Sequence, residues 1–131
     1  MIVAGVALVT LLAIPAFHPR RDQITGHAYP LPSTADRILV EVLNGTARQG
    51  LARIGTRVLR SQGFDVVFFG TAVGRMDSTR VIIRRGSRTA GEAVARALGT
   101  RRITVEIDTL RRVDVTVILG GDFQPPTDWH P

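Results

Sequence analysis

Residues 40–52 read VEVLNGTARQGLA, and the way this apolar run ends decides the architecture. In RILVEVL, residues 37–43, Ile38, Val40 and Val42 alternate with Arg37, Leu39 and Glu41. That period belongs to a strand with one wetter face. Asn44-Gly45 supplies two residues that tolerate positive φ, so the chain can turn sharply. Thr46 is a good N-cap for the helix that follows. The helix is expected over residues 48–62, with Leu51, Ile54, Val58 and Leu59 on one side and Arg53, Arg57 and Arg60 on the other.

Outward from this junction the pattern stays regular. Gly63 closes the helix as a left-handed cap. Residues 64–69 form a second strand with Phe64, Val66 and Phe68 on one face, and 70–78 form a loop. Residues 79–84 make a third strand, with Val81 and Ile83 inward and Arg80 and Arg84 outward. A second helix over 88–98 buries Ala90, Val94, Ala97 and Leu98 and is capped by Gly99. Residues 103–107 read as a short edge strand. The last strand covers 113–119, with Val113, Val115, Val117 and Leu119 inward. The order is β-α-β-β-α-(β)-β. A doubly wound sheet would show continuous apolar strands, whereas these alternate, so one face packs on both helices and the other can meet water. The expected class is α+β, a two-layer α/β sandwich of ferredoxin-like type with a split β-α-β. A small, mostly parallel sheet is the alternative.

Residues 1–17 carry no charged side chain. As a helix they reach about 25 Å at ~1.5 Å per residue, close to a hydrocarbon core of ~30 Å. They read as a membrane anchor or uncleaved signal. Residues 18–36 contain Pro19, Gly26, Pro30 and Pro32 without periodicity and read as a flexible linker, at most about 60 Å long at ~3.3 Å per residue. The domain takes 37–123, and 124–131 is a mobile tail.

Composition narrows the chemistry. The chain has 131 residues and a net charge of +6, and its 17 basic residues are all Arg. Arg-rich usage fits a GC-rich genome and also fits anionic partners, which Arg binds bidentately. The absence of cysteine excludes a disulfide framework. His18, His27 and His130 fall in the linker or tail, so the domain offers no Ser/His/Asp set. Glu106 and Asp108 share a strand face, but no acid/base pair stands at a working spacing, and no metal set or cofactor site is expected. Gly45 and Gly50 have P-loop spacing, yet Leu51-Ala52 stands where Lys-Ser/Thr is required. The chain reads as a non-enzyme.

Four stretches in order carry a resemblance: Val40-Glu41-Val42-Leu43-Asn44-Gly45-Thr46, Gly50-Leu51-Ala52, Gly63-Phe64-Asp65-Val66, and Val113-Asp114-Val115-Thr116-Val117-Ile118-Leu119-Gly120-Gly121-Asp122-Phe123. Together they resemble the C-terminal domain of LytR-type cell-envelope proteins (LytR_C) over about residues 37–123. Ala47-Arg48-Gln49 departs from the smaller, less charged residues frequent there. The resemblance implies an extracytoplasmic domain that, behind a single anchor, serves as an accessory or scaffold of the cell envelope. It brings no ligand residues with it.

The first expectation is therefore a single-pass protein of the cytoplasmic membrane, held by residues 1–17. Its domain would bind peptidoglycan, an anionic glycopolymer or an envelope protein from the extracytoplasmic side. Candidate ligand residues are Arg53, Arg57, Arg60, Asn44 and Thr46. The second is a basic nucleic-acid-binding domain on the cytoplasmic side, suggested by the charge and by Arg20 and Arg21 after the apolar run. Aromatic residues are only 5%, and Phe64 and Phe68 are expected inward, so nucleic acid is not the expected partner. A fragment of residues 34–124 is expected to be soluble and to unfold cooperatively in urea; a gradual, non-cooperative transition would show the boundary to be misplaced.

Overall fold

The computed structural model describes residues 37–127. Its elements are β1 (Leu39–Asn44), α1 (Leu51–Ser61), β2 (Asp65–Thr71), β3 (Arg80–Ile83), α2 (Arg88–Leu98), β4 (Ile103–Val105) and β5 (Val115–Leu119). They form one mixed sheet of order β2-β1-β5-β3-β4. β1 pairs with β2 in parallel, as β3 does with β4, so each helix is the crossover of a β-α-β unit. β5 lies between the units, parallel to β1 and antiparallel to β3.

This geometry explains why there are only two layers. The units run in opposite directions and spread in opposite directions from β5. Crossovers of the same, right-handed sense then put both helices on one face. The two helices indeed touch each other. The ferredoxin-like expectation is corrected here. A split unit needs a strand between β1 and β2, but Val40 pairs directly with Val66. Alternating polarity reports which face is covered and carries no information on strand order.

The core fills the helix-side face. Val40, Val42, Val66, Val81, Val115, Val117 and Leu119 pack under Leu51, Ala52 and Leu59 of α1 and Ala90, Val94 and Ala95 of α2. Gly55 and Gly91 bring each helix close to the sheet. A Cβ at Gly55 would lie 2.7 Å from Leu119 Cδ1, and one at Gly91 2.6 Å from Ile83 Cγ1.

A second expectation fails in β2. The register passes from Val40↔Val66 to Glu41↔Phe68, leaving Val67 as an extra residue. Such a bulge shifts every later side chain by one face. Phe68 therefore joins Glu41 on the open face and is 56% exposed, while Phe64 still packs against the core. The open face is not simply wet either. Glu41 and Thr116 are buried. The Glu41 carboxylate accepts from Thr116 Oγ1 at 2.6 Å and from Arg111. Arg84 donates to Thr116 Oγ1 at 3.1 Å and pairs with Glu106 at 3.2 Å.

Asp114 fastens the start of β5 to both neighbours. Its carboxylate accepts from the Leu39 N–H at 2.9 Å, and its own N–H donates to the Leu39 carbonyl at 2.9 Å. Its carbonyl accepts from Arg84 N–H at 2.8 Å, and Arg85 pairs with its carboxylate at 3.4 Å. Asp114→Ala leaves the Leu39 N–H without its acceptor and is expected to cost about 2 kcal/mol in urea unfolding. An unchanged midpoint would show that the backbone ladders and packing hold β5 without help from the Asp114 carboxylate.

Candidate functional site

The junction after β1 is built by Asn44. Its Oδ1 accepts from the Thr46 N–H at 2.9 Å and from Thr46 Oγ1 at 2.7 Å. Its Nδ2 donates to the Arg48 carbonyl at 2.7 Å, and Thr46 Oγ1 accepts from the Arg48 N–H at 3.1 Å. The Asn44 amide thus winds residues 44–48 into a turn. Thr46 is therefore not the N-cap. The helix begins at Leu51 behind Gly50, which is left-handed with φ 78° and provides no side-chain cap. Gly45 also differs from expectation. Among the described residues the positive-φ positions are Gly50, Gly63, Gly74 and Gly99. Gly45 answers a need for space instead, since a Cβ there would lie 2.9 Å from the Leu119 carbonyl oxygen.

Three loops meet at this point. The Gly45 N–H donates to the Leu119 carbonyl at 2.9 Å, the Met76 N–H to the Gly45 carbonyl at 2.7 Å, and the Gly121 N–H to the Met76 carbonyl at 3.0 Å. Arg48 donates to the Phe123 carbonyl at 2.9 Å. The Thr79 N–H donates to Asp122 at 2.7 Å, and the Gly120 N–H donates to Thr79 Oγ1 at 3.0 Å. At Gly120 a Cβ would lie 2.3 Å from the Ser78 carbonyl carbon, so only glycine fits. Partial burial pushes the Asp122 carboxyl up. The Thr79 N–H and hydroxyl and the Arg102 guanidinium outweigh this and hold it below its ordinary value of 3.8.

Beside this junction a groove of about 530 Å³ opens at the carboxyl ends of β1 and β2. It is lined by Asn44, Gln49, Gly50, Arg53, Phe69, Gly70 and Thr71. Two of the five sequence candidates, Asn44 and Arg53, thus come together. Thr46 spends its hydroxyl inside the turn. Arg57 is exposed further along α1, and Arg60 donates to the Val66 carbonyl at 2.8 Å, next to the bulge. Glu41, Arg84 and Thr116 are engaged with one another across the sheet. Phe69, Gly70 and Thr71 escaped the sequence reading. Their signal was the apolar FDVVFF strand, but the bulge that places Phe69 beside Arg53 leaves no mark in the pattern.

The lining contains no carboxylate, histidine or cysteine, so the groove offers a cation, amides, the Thr71 hydroxyl and an aromatic ring for binding, with no general base among them to activate that hydroxyl. Among the described residues no group of three His, Cys, Asp or Glu is placed to hold a metal ion. No described helix is long and apolar enough to cross a membrane, and the anchor expected over 1–17 lies outside the described residues. His130 lies outside them too.

The family model described as "LytR cell envelope-related transcriptional attenuator" matches residues 37–123. The chain belongs to this LytR_C family. The match spans the domain built by the four stretches singled out in the sequence, and it marks a cell-envelope-associated domain of attenuator type, not a known enzyme family. The solution structure of the C-terminal domain of RV0431 is similar at 22% identity and a TM-score of 0.45, covering 91% of this chain and 92% of that one. No curated protein matches the chain. In this LytR_C domain the Asn-Gly-Thr and Gly-Gly-Asp-Phe segments face each other as structural staples.

The lowered Asp122 pKa has a pH consequence. In acid the unfolded chain takes up a proton at this carboxyl before the folded one does, so its contribution is present above the ordinary Asp value and is lost as pH falls through the lower, folded value. Asp122→Asn is expected to show a smaller loss of thermal stability between pH 5 and about pH 3 than the parent. Equal losses would assign the acid sensitivity elsewhere.

Proposed function

We propose that this LytR_C domain is a non-enzymatic binding or scaffold module of the cell envelope. In this proposal residues 1–17 tether it and its domain stands on the extracytoplasmic side, where it engages peptidoglycan or an anionic glycopolymer. The observation that carries the reading is the exposed cationic face of α1 beside a groove lined without any carboxylate. Arg53, Arg57 and Arg60 are exposed on one face of a helix that contains no acidic residue. Arg53 turns this face into the groove. Each exposed contact is worth at most about 1 kcal/mol and is screened beyond about 8 Å at physiological ionic strength. A polymer with repeating charge engages several at once, and avidity multiplies the weak contacts.

The test compares the parent with Arg53→Gln/Arg57→Gln and with the triple variant that adds Arg60→Gln. Glutamine keeps helix propensity. The double variant is needed because Arg60 also holds the Val66 carbonyl, so its loss also disturbs the sheet. Purified peptidoglycan carrying anionic polymer, anionic vesicles and single-stranded DNA serve as ligands at low and moderate salt. Polymer binding that weakens with salt and falls in the double variant is expected. Equal binding by parent and double variant, or none by either, sinks the reading. Tighter binding of DNA than of polymer transfers the site to the nucleic-acid alternative, for which the exposure of Phe68 and Phe69 removes the objection from inward aromatics.

A further inference from the structure

The outer edge of β2 is unpaired, since β2 ends the sheet. Natural edges are normally short, charged, bulged or interrupted by proline, because a row of open backbone groups recruits further strands. β4, at the other end, follows that rule with only 3 residues. β2 follows it only near its start, where the bulge at Val67 lies. It runs for 7 residues, and Val67, Phe68 and Phe69 are 51%, 56% and 43% exposed. No charge or proline lies between Val66 and Thr71.

The backbone directions are set by the ends of the strand. The Asp65 N–H donates to the Ile38 carbonyl and the Ala72 N–H to the Asn44 carbonyl, so both point at β1. Alternation along a strand turns the polar groups of the neighbouring residues, Val66 and Thr71, outward. Arg60 already occupies the Val66 carbonyl, which closes that end. Beyond the bulge the Phe68–Thr71 stretch remains open, and the groove holding Arg53 lies beside its Phe69, Gly70 and Thr71.

The geometry points to an interaction surface for an extended acidic segment of a partner protein, added to β2 as a sixth strand with a carboxylate seated in the groove against Arg53. Strand addition takes affinity from main-chain hydrogen bonds and specificity from pockets that accept alternate side chains. Side chains of the added strand alternate between the helix side, where Arg53 waits, and the open side, where Phe68 is exposed. Acidic residues alternating with apolar ones satisfy both. A second copy of this chain fits poorly. Antiparallel pairing of β2 with its own copy sets a two-fold axis normal to the sheet, which brings both α1 helices to the same side of one seam. Both carry Arg53 and Arg60, and α1 has no acid to relieve the repulsion.

This surface shares Arg53 with the polymer reading but rests on the strand edge, and the two separate experimentally. The full chain in detergent micelles is titrated with a dye-labelled, end-blocked seven-residue peptide of alternating Val and Glu, with a Val and Lys peptide as control. The acidic peptide is expected to bind and the basic one not to. Binding is expected to slow amide hydrogen exchange at Thr71. Arg53→Gln is expected to weaken it about fivefold, the upper end for an exposed ion pair. Thr71→Pro removes an outward N–H while leaving the bonds to β1, and is expected to abolish peptide binding while polymer binding persists. If Thr71→Pro does not fold, exchange at Thr71 together with Arg53→Gln decides the matter. Unslowed exchange, equal binding of both peptides, or full binding by folded Thr71→Pro overturns the proposal. So does a dimer in sedimentation that Thr71→Pro converts to monomer, which assigns the edge to a second copy. Loss of polymer binding with peptide binding intact sinks only the polymer reading.

Discussion

The last strand to be made holds the domain together. β5 is the only strand that pairs with both β-α-β units among the described residues, joining β1 on one side and β3 on the other. Without it each unit would expose half of a core, and neither helix would find the other. Its two ends are therefore fastened by specific polar contacts and not left to packing. Asp114 ties the start to Leu39 and to the chain after β3. Gly45, Thr79, Gly120 and Asp122 tie the end, through backbone approaches that admit no side chain at Gly45 or Gly120.

This closure decides on which side a ligand can reach the end of β1. Parallel strands tend to bind at their carboxyl ends, in the crevice beside a point where strand order reverses. Here the side of β1 facing β5 is filled by the stapled loops. Only the side facing β2 stays open, and it is there that the groove forms. The Asn44 turn delays the helix to Leu51, and the bulge at Val67 turns Phe69 toward the helix side. Both departures from regular structure shape the same groove.

Element order and type were legible in the sequence because period and turn chemistry are local. The second helix, Arg88–Leu98, coincides with its expected range, and the apolar positions of β1, β3 and β5 face the core as their alternation requires. Strand order was not legible. It depends on which strands meet across the sheet, and alternation reports only burial. The turn was misjudged at Thr46 because a threonine before a helical pattern suits a cap and an Asx turn equally, and the choice fell to the Asn44 amide. Phe68 was misplaced for want of any sign of the extra residue. Of the candidate site, the arginine face was visible as a helical period. The groove was not, because it joins residues of three segments.

The distribution of charge explains why Arg53 matters more than the net charge does. Among the described residues Asp65, Glu92, Glu106, Asp114 and Asp122 each pair with an arginine, and Glu41 with Arg111. Each of these pairs uses an arginine that lies off α1. No described carboxylate pairs with Arg53, and α1 itself has none to offer. Described arginines without a carboxylate also lie off α1, among them Arg80, Arg96 and Arg112, so what sets Arg53 apart is its place beside the groove and the open, apolar sheet edge. Exposed pairs elsewhere add little to stability and leave little field. An unmatched cation bordering a groove and an unblocked strand edge does the opposite. It lowers the cost of bringing in a carboxylate while the edge supplies hydrogen bonds in a fixed direction. Charge alone selects any polyanion; charge beside an open strand selects an extended acidic polypeptide.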